Sequence, residues 1–415
     1  MLLLFYQNQH IGYVSFNPKH RTGSLSYLCN WNLYGTPLSR SLSGQSYTNS
    51  TTVFNFFSNL LPESAALDSL AYIANLSKHD PTILENVGFL LAGGFSIRTT
   101  DNFNQNKTLI PLKQDEISRR FKQKNNTPLL IWHGCPLVGI AGVQDKICVS
   151  LDEQRNLFIP IGQQSTHILK FTPEGHPTLL LNEFVCMKLA KQCGFDCPNV
   201  SLERLDHSWI LLIERFDTEV HTIDGCQLLD LPPQSKYERP YGDSRDVNHI
   251  RSGASLKSLF DTLDPKLHAS LVEWVVFNLA INNTDAHAKN ISFYLNKDEL
   301  SPSPLYDLIA TPDTSQTLAM AIGDEFIPGR ISAFDLFECF NLSPIDINTL
   351  IAHADSVLSK IVKAVVNSAS SVTQLQNKRA SQDEIHFVSS ILGFIASNAT
   401  TLRAKITDIE PEAYV

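Results

Sequence analysis

The sequence predicts an α+β fold in three parts: an N-terminal α+β unit, a strand-rich lobe and a helical lobe. Short runs that alternate apolar and polar residues near the start and in the middle of the chain are typical of strands, whereas apolar residues recur at helical spacing in the second half. The length of 415 residues allows about two or three domains. We place the N-terminal unit at residues 1–110, a connection at 111–128, the strand-rich lobe at 129–217 and the helical lobe at 218–415.

Composition and charge exclude several classes of protein. The chain is 43% hydrophobic and 18% charged, which argues against disorder. Its formal net charge is 33 − 42 = −9, which disfavours direct binding of DNA or RNA through a broad basic face. Eight cysteines without a C-x-x-C pair indicate buried or free thiols in a reducing compartment. Because no signal-peptide pattern or long apolar stretch is found, we expect a soluble, cytoplasmic protein without a membrane segment.

The N-terminal unit begins with a predicted hairpin, in which MLLLFY and GYVSF flank the polar residues QNQH. Residues 36–52 are rich in Ser, Thr, Asn and Gly and are predicted to form a loop. From Val53 the apolar residues follow helical spacing up to Leu61, and Pro62 and Glu63 open another turn.

The middle lobe is predicted to be a sheet with one embedded helix. Its expected strands are residues 146–151, 156–161, 167–171 and 209–214, and the helix covers 181–192. The polar segment that precedes this lobe carries a basic cluster, RRFKQK, which we interpret as a solvated helix face.

Capping patterns mark helices in the last part of the chain. Asp264 followed by Pro265 predicts an N-cap with proline at the first helical position. Ser381 and Glu384 form a capping-box pattern before another apolar stripe.

The most informative segment is N-T-D-A-H-A-K-N at residues 283–290. Asp285 and Asn290 have the spacing of a kinase catalytic loop, in which the aspartate accepts the proton of the substrate hydroxyl and the asparagine binds Mg²⁺. A structural alternative is an aspartate cap followed by a turn asparagine.

A second carboxylate follows at Asp307, which lies 307 − 290 = 17 residues after Asn290. The alternating run after Asn290 and the polar turn N-K-D-E predict a hairpin that returns Asp307 to the amide, so that the two residues could bind Mg²⁺. This is the role of the aspartate in D-F-G, although Leu308 and Ile309 replace Phe and Gly. The alternative is an aspartate that merely ends a strand.

Upstream segments complete the order of a nucleotide-binding lobe. Lys170 ends a strand that resembles the V-A-I-K strand of kinases, and Glu183 is a better candidate than Asn182 to pair with it. The small residues of 139–146 would let backbone N–H groups approach phosphates, without forming a G-x-G-x-x-G or Walker A motif. Residues 213–217 would form the hinge that meets adenine. Each signal is weak alone, and their order along the chain carries the prediction.

With these residues in place, the chain resembles the HipA family of serine/threonine kinase toxins over nearly its whole length. The motifs that carry the resemblance are V-F-N-F-F-S-N-L-L-P-E at 53–63, G-V-Q-x-K at 142–146, I-L-K at 168–170, N-E-x-x-C-x-x-L-A at 182–190, E-R-F-D at 214–217, C-Q at 226–227, K-Y-E at 236–238, N-T-D-A-H-A-K-N at 283–290 and Y-D at 306–307.

This resemblance implies a two-lobed, protein-kinase-like fold with an additional N-terminal subdomain and a helical C-terminal lobe. It implies that Asp285 is the catalytic base, that Asn290 and Asp307 hold Mg²⁺, and that ATP is the phosphate donor. The residues implied to bind ATP are Ala141, Gly142, Val143, Gln144, Asp145, Lys146, Lys170, Glu214, Arg215, Phe216, His287, Ala288, Lys289, Asn290, Tyr306 and Asp307.

The family also implies partners. Its members phosphorylate a Ser or Thr of a protein, for which glutamyl-tRNA synthetase is the best-known target, and a HipB-type helix-turn-helix antitoxin neutralises them. DNA would then be contacted only through the antitoxin, which agrees with the acidic net charge. A non-catalytic nucleotide- or antitoxin-binding module and a small-molecule kinase stay open as alternatives, the latter because D-A-H-A-K-N resembles the D-R-H-x-x-N loop of phosphoinositide kinases.

Two positions depart from the family pattern. Gly139 stands where the family often carries an autophosphorylated serine, so self-inactivation by that route is not expected. Ser150 is close in the sequence and is a candidate replacement for that serine, although it lies on a predicted strand. Asp145 places a carboxylate in the phosphate loop, which requires a nearby cation such as Lys146 or Mg²⁺.

Overall fold

We analysed a computed structural model of the chain. It describes residues 1–7, 9–63, 67–68, 70–71, 81–84, 92–98, 107–124, 129, 131–132, 135–136, 145–367, 373 and 375–414. The predicted phosphate-loop residues Ala141, Gly142, Val143 and Gln144, and Gly139 before them, lie outside the described residues.

The N-terminal unit is built on an antiparallel sheet of five strands in the order β4-β3-β2-β1-β5. The predicted hairpin is confirmed as β1 and β2, and the predicted helix after Val53 begins two residues earlier, where Ser50 caps it. Part of the expected loop at 36–52 is the strand β4. The elements are β1 (Leu2–Tyr6), β2 (Gln9–Asn17), β3 (Thr22–Tyr27), α1 (Cys29–Tyr34), β4 (Ser46–Ser50), α2 (Thr51–Ser58) and β5 (Phe95–Arg98).

The middle lobe is a six-stranded antiparallel sheet in the order β12-β13-β11-β9-β10-β6, and α4 covers one of its faces. The other face packs against residues of α3 around Ile117. The elements are β6 (Thr108–Pro111), α3 (Gln114–Lys122), β7 (Ile131–Trp132), β8 (Cys135–Pro136), β9 (Lys146–Leu151), β10 (Leu157–Ile161), β11 (His167–Phe171), α4 (Leu179–Gln192), β12 (Val200–Leu205) and β13 (Ser208–Glu214).

The last residues of the predicted N-terminal unit and the predicted connection after them belong structurally to the middle lobe. The strand β6 pairs with β10, and Ile117 of α3 is fully buried in the core of the sheet. The basic cluster on α3 is not simply solvated, because Arg120 stacks on Trp132 and Lys122 pairs with Asp206. We therefore place the start of the middle lobe near residue 108.

The last part of the chain is a helical lobe with a small antiparallel sheet, β14-β15-β16. The hairpin expected between Asn290 and Asp307 is confirmed as β15 and β16. The elements are β14 (Thr222–Asp224), α5 (Gly225–Leu228), α6 (Leu256–Thr262), α7 (His268–Ala280), β15 (Ser292–Asn296), β16 (Glu299–Pro302), α8 (Ala333–Phe340), α9 (Ile347–Val366) and α10 (Gln382–Thr407). Short 3-10 helices cover Arg40–Leu42, Pro81–Ile83, Ala92–Gly94, Pro233–Ser235, Pro265–Leu267, Ala288–Asn290, Pro328–Arg330 and Pro411–Ala413.

Both predicted caps lie at the start of a helix, but only one has the expected side-chain bonds. Ser381 and Glu384 form a capping box at the start of α10. Asp264 is the N-cap residue of the 3-10 turn that Pro265 opens before α7, but its side chain makes no capping hydrogen bond. The Asp264 carboxylate instead accepts a hydrogen bond of 2.6 Å from Arg40 of the N-terminal unit.

Among the described helices, α10 is long and apolar enough to cross a membrane by composition alone. It contacts α9 and α7, and its residues Val388, Ile395 and Ala399 are fully buried. One buried stripe is typical of an amphipathic helix that packs against the core of a folded lobe.

Candidate active site

The three parts of the chain meet at a cleft that encloses a cavity of about 530 Å³. This volume is in the usual range for small-molecule sites. Apolar side chains, including Ile168 and Ile213, line it together with charged groups from all three parts. The predicted site residues that the cleft brings together are Asp145, Lys146, Lys170, Glu183, Glu214, Arg215, Phe216, Asp285, His287, Lys289, Asn290, Tyr306 and Asp307. Ala288 is buried beside them in the same loop.

Lys170 connects the two lobes. Leu169 and Phe171 point into the core on the α3 side of the sheet, so the strand alternation turns Lys170 toward α4. Its Nζ donates hydrogen bonds of 2.6 Å both to Oε1 of Glu183 on α4 and to Oδ1 of Asp307. The predicted pairing of Lys170 with Glu183 is confirmed.

Burial and charge act in opposite directions in this cluster. Burial lowers the pKa of Lys170, but the carboxylates of Asp307 and Glu183 outweigh it, and the net pKa is raised. Burial raises the pKa of Asp307, but the neighbouring ammonium of Lys170 brings it down to about 2. At Glu183, which is 0% exposed and whose Oε2 has no partner among the described residues, burial dominates and the pKa is raised.

The segment that carries Asp307 is held in an unusual conformation. Asp307 has a φ of 55°, a left-handed value that costs free energy in a residue other than glycine. Asn182 anchors the following turn, since its amide donates to the carbonyl of Ala310 at 2.7 Å and accepts from the amide of Ala310 at 2.8 Å. Asn182 therefore positions the Asp307 segment, a role that the sequence analysis did not assign to it.

Asp145 and Lys146, the residues of the predicted phosphate loop that the structure describes, are both charged. Burial and the nearby Lys170 lower the pKa of Lys146 to about 8. Asp145 pairs at 2.6 Å with Lys124, which follows α3. The cation that pairs with Asp145 in this structure is therefore Lys124, whereas the expectation from the sequence was Lys146 or Mg²⁺.

The catalytic-loop residues lie on the opposite wall of the cleft. Asp285 is exposed, and its Oδ1 accepts a hydrogen bond of 2.6 Å from the phenol of Tyr237. The amide Nδ2 of Asn290 donates to the backbone carbonyl of Asp285 at 2.9 Å. This bond orients the Asn290 side chain and leaves its Oδ1 oxygen as the atom that could face a cation.

His287 and Lys289 are both buried in this wall. Burial and the charge of Lys236 lower the pKa of His287. The Lys289 ammonium donates to Oδ2 of Asp224 at 2.8 Å and to the backbone carbonyl and side-chain oxygen of Asn59 at 2.9 and 3.2 Å. Lys289 therefore binds the N-terminal unit, and its predicted contact with phosphates stays a prediction.

The predicted hinge residues differ in how free their side chains are. The Arg215 guanidinium is buried and donates to Asp217 and to Ser165. Glu214 is exposed and accepts from Asn199 at 2.6 Å. The Phe216 ring lies 5.5 Å from the ring of Tyr306, whose hydroxyl donates to the carbonyl of Lys289. The backbone groups and the Phe216 ring are thus the parts of this segment that could contact the adenine ring of a nucleotide.

The N-terminal unit contributes Asn59, Leu60 and Glu63 to the cleft, and none of them is a site residue predicted from the sequence. Asn59 follows α2 and holds Lys289, and Glu63 pairs with Lys236 at 2.6 Å. The signal available in the sequence was the motif N-L-L-P-E at 59–63, whose residue types carry no catalytic pattern of their own.

An antiparallel sheet with a buried Lys–Glu pair, placed over a helical lobe that carries an Asp-x4-Asn loop and a further aspartate, is the arrangement of two-lobed protein kinases. Family models agree with this class and narrow it. Residues 138–372 match the HipA-like C-terminal domain and residues 2–98 match the HipA N-terminal domain.

Individual relatives cover most of the chain. The serine/threonine-protein kinase toxin HipA of Shewanella oneidensis is 32% identical over 89% of this chain and 90% of its own. A putative kinase of Sinorhizobium fredii, Y4mE, is 30% identical over 65% of this chain and 67% of its own. A solved complex of Shewanella oneidensis HipA with HipB and its operator DNA aligns with a TM-score of 0.85 and 30% identity over 99% of both chains. The chain belongs to the HipA family and is a serine/threonine-protein kinase.

Proposed function

We propose that this protein transfers the γ-phosphate of ATP to a Ser or Thr hydroxyl of a cellular protein, with Asp285 as the base. The observation that carries the proposal is the convergence of Lys170, Asp285, Asn290 and Asp307 on one cleft from segments far apart in the chain. The acceptor oxygen would bond to the γ-phosphorus while the bond between that phosphorus and the β–γ bridging oxygen breaks. ADP would leave, and the hydroxyl proton would pass to Asp285.

The donor set in the cleft fits Mg²⁺. Asp307 offers a carboxylate and Asn290 an amide oxygen, and hard oxygen donors in small number are what Mg²⁺ takes from proteins when phosphates and water supply the other ligands. When bound, Mg²⁺ would offset the negative charge of the phosphates. Lys170 would contact the phosphates from the sheet side.

We propose that Ala141, Gly142, Val143 and Gln144 cover the phosphates, as the resemblance implies, with Asp145 and Lys146 at the end of that loop. The Lys170 ammonium has three N–H donors, two of which bind Glu183 and Asp307 in the structure, so it can contact nucleotide through the third or by releasing Asp307. Glu183 would then keep the ammonium in place while Asp307 turns to the cation.

We also propose a HipB-like antitoxin as partner and a toxic effect of the free kinase. The support is the 0.85 TM-score to HipA in a complex with HipB and operator DNA. DNA would be bound indirectly, through that partner. Production of the chain with and without a neighbouring small helix-turn-helix protein tests this proposal, and equal growth in both cases would contradict it.

The decisive test of the chemistry is Asp285→Asn, with Asp261→Asn on the exposed face of α6 as the control. Purified proteins are incubated with labelled ATP and cell lysate. We expect Asp285→Asn to lower phosphoryl transfer by about 10²- to 10⁴-fold, because the substrate hydroxyl loses its base. The control should match wild type. Label on small molecules instead of proteins would contradict the protein-kinase proposal, and full activity of Asp285→Asn would contradict the assignment of the base.

A further inference from the structure

The motif K-Y-E at 236–238 has no role in the chemistry proposed above, yet its tyrosine touches the base. We infer that Tyr237 is a positioning residue, which fixes the carboxylate of Asp285 through its phenol so that the second carboxylate oxygen faces the acceptor hydroxyl. The inference rests on the proposed function, since it assumes that Asp285 is the base. The contact joins Oη of Tyr237 to Oδ1 of Asp285 at 2.6 Å across 48 positions of sequence.

Asp285 needs such a partner. It is exposed, so water competes for its carboxylate. Within the part of the chain that the structure describes, Tyr237 is the one residue that donates a hydrogen bond to the Asp285 side chain. Asn283 and Asn290 bond the backbone of Asp285 and therefore fix where the loop lies but not where the carboxylate points.

The phenol is suited to donate. Burial raises the pKa of Tyr237, and the hydrogen bond to the Asp285 carboxylate raises it further. The hydroxyl therefore keeps its proton at neutral pH, and a hydrogen bond from a neutral donor to a carboxylate is stronger than one between two neutral groups.

The tyrosine is itself held rigidly. Two backbone hydrogen bonds hold its segment on one side. The amide of Ala254 donates to the carbonyl of Ser235 at 2.9 Å, and the amide of Gly253 donates to the carbonyl of Glu238 at 3.1 Å. A Cβ at Gly253 would lie 1.8 Å from the carbonyl oxygen of Tyr237, so only glycine permits this approach. On the other side the His287 ring packs edge-on against the Tyr237 ring, with centroids 5.1 Å apart.

The two neighbours of Tyr237 reach different parts of the molecule. Lys236 pairs with Glu63 of the N-terminal unit, and its carbonyl accepts from the amide of Ala288 at 3.1 Å, in the catalytic loop. Glu238 is buried and accepts from Arg251 and from the amide of Ala321. The motif thus ties the tyrosine to a fixed frame, and a donor on a fixed frame can orient the base before the substrate arrives.

The test is Tyr237→Phe, which keeps the ring and removes only the hydroxyl, with the exposed Tyr241→Phe four residues later as the control. We expect Tyr237→Phe to lower kcat by about tenfold, which corresponds to the loss of a hydrogen bond to a charged group, and to leave the KM for ATP within about twofold. Tyr241→Phe should leave both constants unchanged. An unchanged kcat in Tyr237→Phe, or a loss that appears only in KM, would overturn the inference.

A double-mutant cycle separates positioning from a general structural effect. In the Asp285→Asn background, removal of the Tyr237 hydroxyl should lower the residual rate by less than about twofold, because the group through which it acts is gone. A tenfold loss in that background would mean that Tyr237 acts elsewhere.

The four proteins of the cycle are wild type, Tyr237→Phe, Asp285→Asn and the double variant, and their stability can be measured without any enzymatic activity. If wild type transfers no phosphate, the proposed function fails, whereas the contact is still tested by urea unfolding of the cycle. A shift of the unfolding midpoint in Tyr237→Phe that disappears in the Asp285→Asn background supports the contact, and strictly additive shifts contradict it.

Discussion

At the scale of single residues, the cleft depends on one ammonium group shared by two carboxylates of different character. Glu183 is 0% exposed and has one oxygen without a partner among the described residues, whereas 36% of the Asp307 side chain is exposed. Removal of one partner of a buried charge pair leaves the other charge uncompensated. Lys170 is therefore both the proposed phosphate contact and the cation that compensates two carboxylates between the lobes.

Glu183→Gln tests this dual role, with Glu203→Gln as a matched control. Glu183 pairs with a buried lysine, whereas Glu203 pairs with Lys378 where both side chains are about two-fifths exposed. We expect Glu183→Gln to lower the free energy of unfolding by about 1–3 kcal/mol and to raise the KM for ATP, because only Asp307 then holds the ammonium. Glu203→Gln should change the free energy of unfolding by less than about 1 kcal/mol. Similar effects of the two variants in urea unfolding would contradict the burial argument.

The principal residues of the cleft could be predicted from the sequence because their spacing and order are those of kinases. Lys170, Glu183 and Asp307 were each weak signals, and their order along the chain made them informative. Tyr237 and Glu63 could not be assigned in this way. Their partners lie 48 and 173 positions away, and no local pattern encodes a contact across such a distance.

At the scale of elements, the junction between the N-terminal unit and β14 contains a buried histidine. The Nε2–H of His221 donates to the carbonyl of Leu38 at 2.7 Å, and its Nδ1 has no partner among the described residues. A Cβ at Gly93, whose φ is 76°, would lie 2.7 Å from that Nδ1. The junction therefore has room for a neutral imidazole and not for a solvated imidazolium.

This histidine makes stability depend on pH. Burial lowers the pKa of His221 to about 4, below the value of about 6.5 in an unfolded chain. Its contribution is therefore fully present above about pH 6.5 and is lost as the pH falls toward 4, where the unfolded state binds a proton that the folded state does not. The loss amounts to about 3 kcal/mol.

We expect His221→Gln, which keeps a donor for Leu38, to flatten the decline in the free energy of unfolding between pH 6.5 and 4. His167 and His287, whose pKa values burial also lowers, would supply the part of the decline that remains. The exposed His249→Gln serves as the control and should keep the wild-type slope. Chemical unfolding at several pH values measures both, and an identical slope in His221→Gln would disprove the assignment.

Secondary structure could be predicted where an element is long enough to show its alternation of apolar and polar residues. The strands β9 and β11 match the predicted ranges residue for residue. The strand β14 has three residues, too few to show a period, and was missed. The capping box at Ser381 involves residues close together in the sequence and could therefore be predicted. The Asp264 carboxylate instead binds Arg40, which lies 224 positions away.

At the scale of the whole molecule, one continuous hydrophobic core joins the N-terminal unit to the helical lobe. It contains Leu4 and Phe57 from the first part and Phe277 and Ile395 from the last. Polar contacts reinforce this junction, most of all at Asn59, whose amide donates to the carbonyl of Leu231 at 2.8 Å. The N-terminal unit and the helical lobe should therefore unfold together.

Asn59→Ala tests this cooperativity, with Asn156→Ala in an exposed turn as the control. We expect Asn59→Ala to destabilise the protein by about 2–4 kcal/mol, because it removes the side-chain contacts to Lys289, Leu231 and Asn55 from a buried site. Hydrogen exchange should then quicken by the same factor in peptides of β1–β3 and of α7. Faster exchange in the N-terminal unit alone would contradict a shared unfolding unit, and Asn156→Ala should leave both regions close to wild type.

The periods along the chain predict three parts but not how the parts join. The predicted connection supplies α3 to the middle lobe, and β6, which falls in the predicted N-terminal unit except for Pro111, joins the same lobe by pairing with β10. Composition shows where apolar residues change their period and does not show which sheet a short strand will join.

The reach of the N-terminal unit into the cleft has a consequence for inhibitor selectivity. Asn59, Leu60 and Glu63 line the same cavity as the proposed ATP-binding residues. A purine mimic that carries a cationic arm directed at the Glu63 carboxylate would compete with Lys236 for it. A kinase without the N-terminal unit lacks Glu63, and so this wall of the cavity is the place where a compound could distinguish such a kinase from this protein.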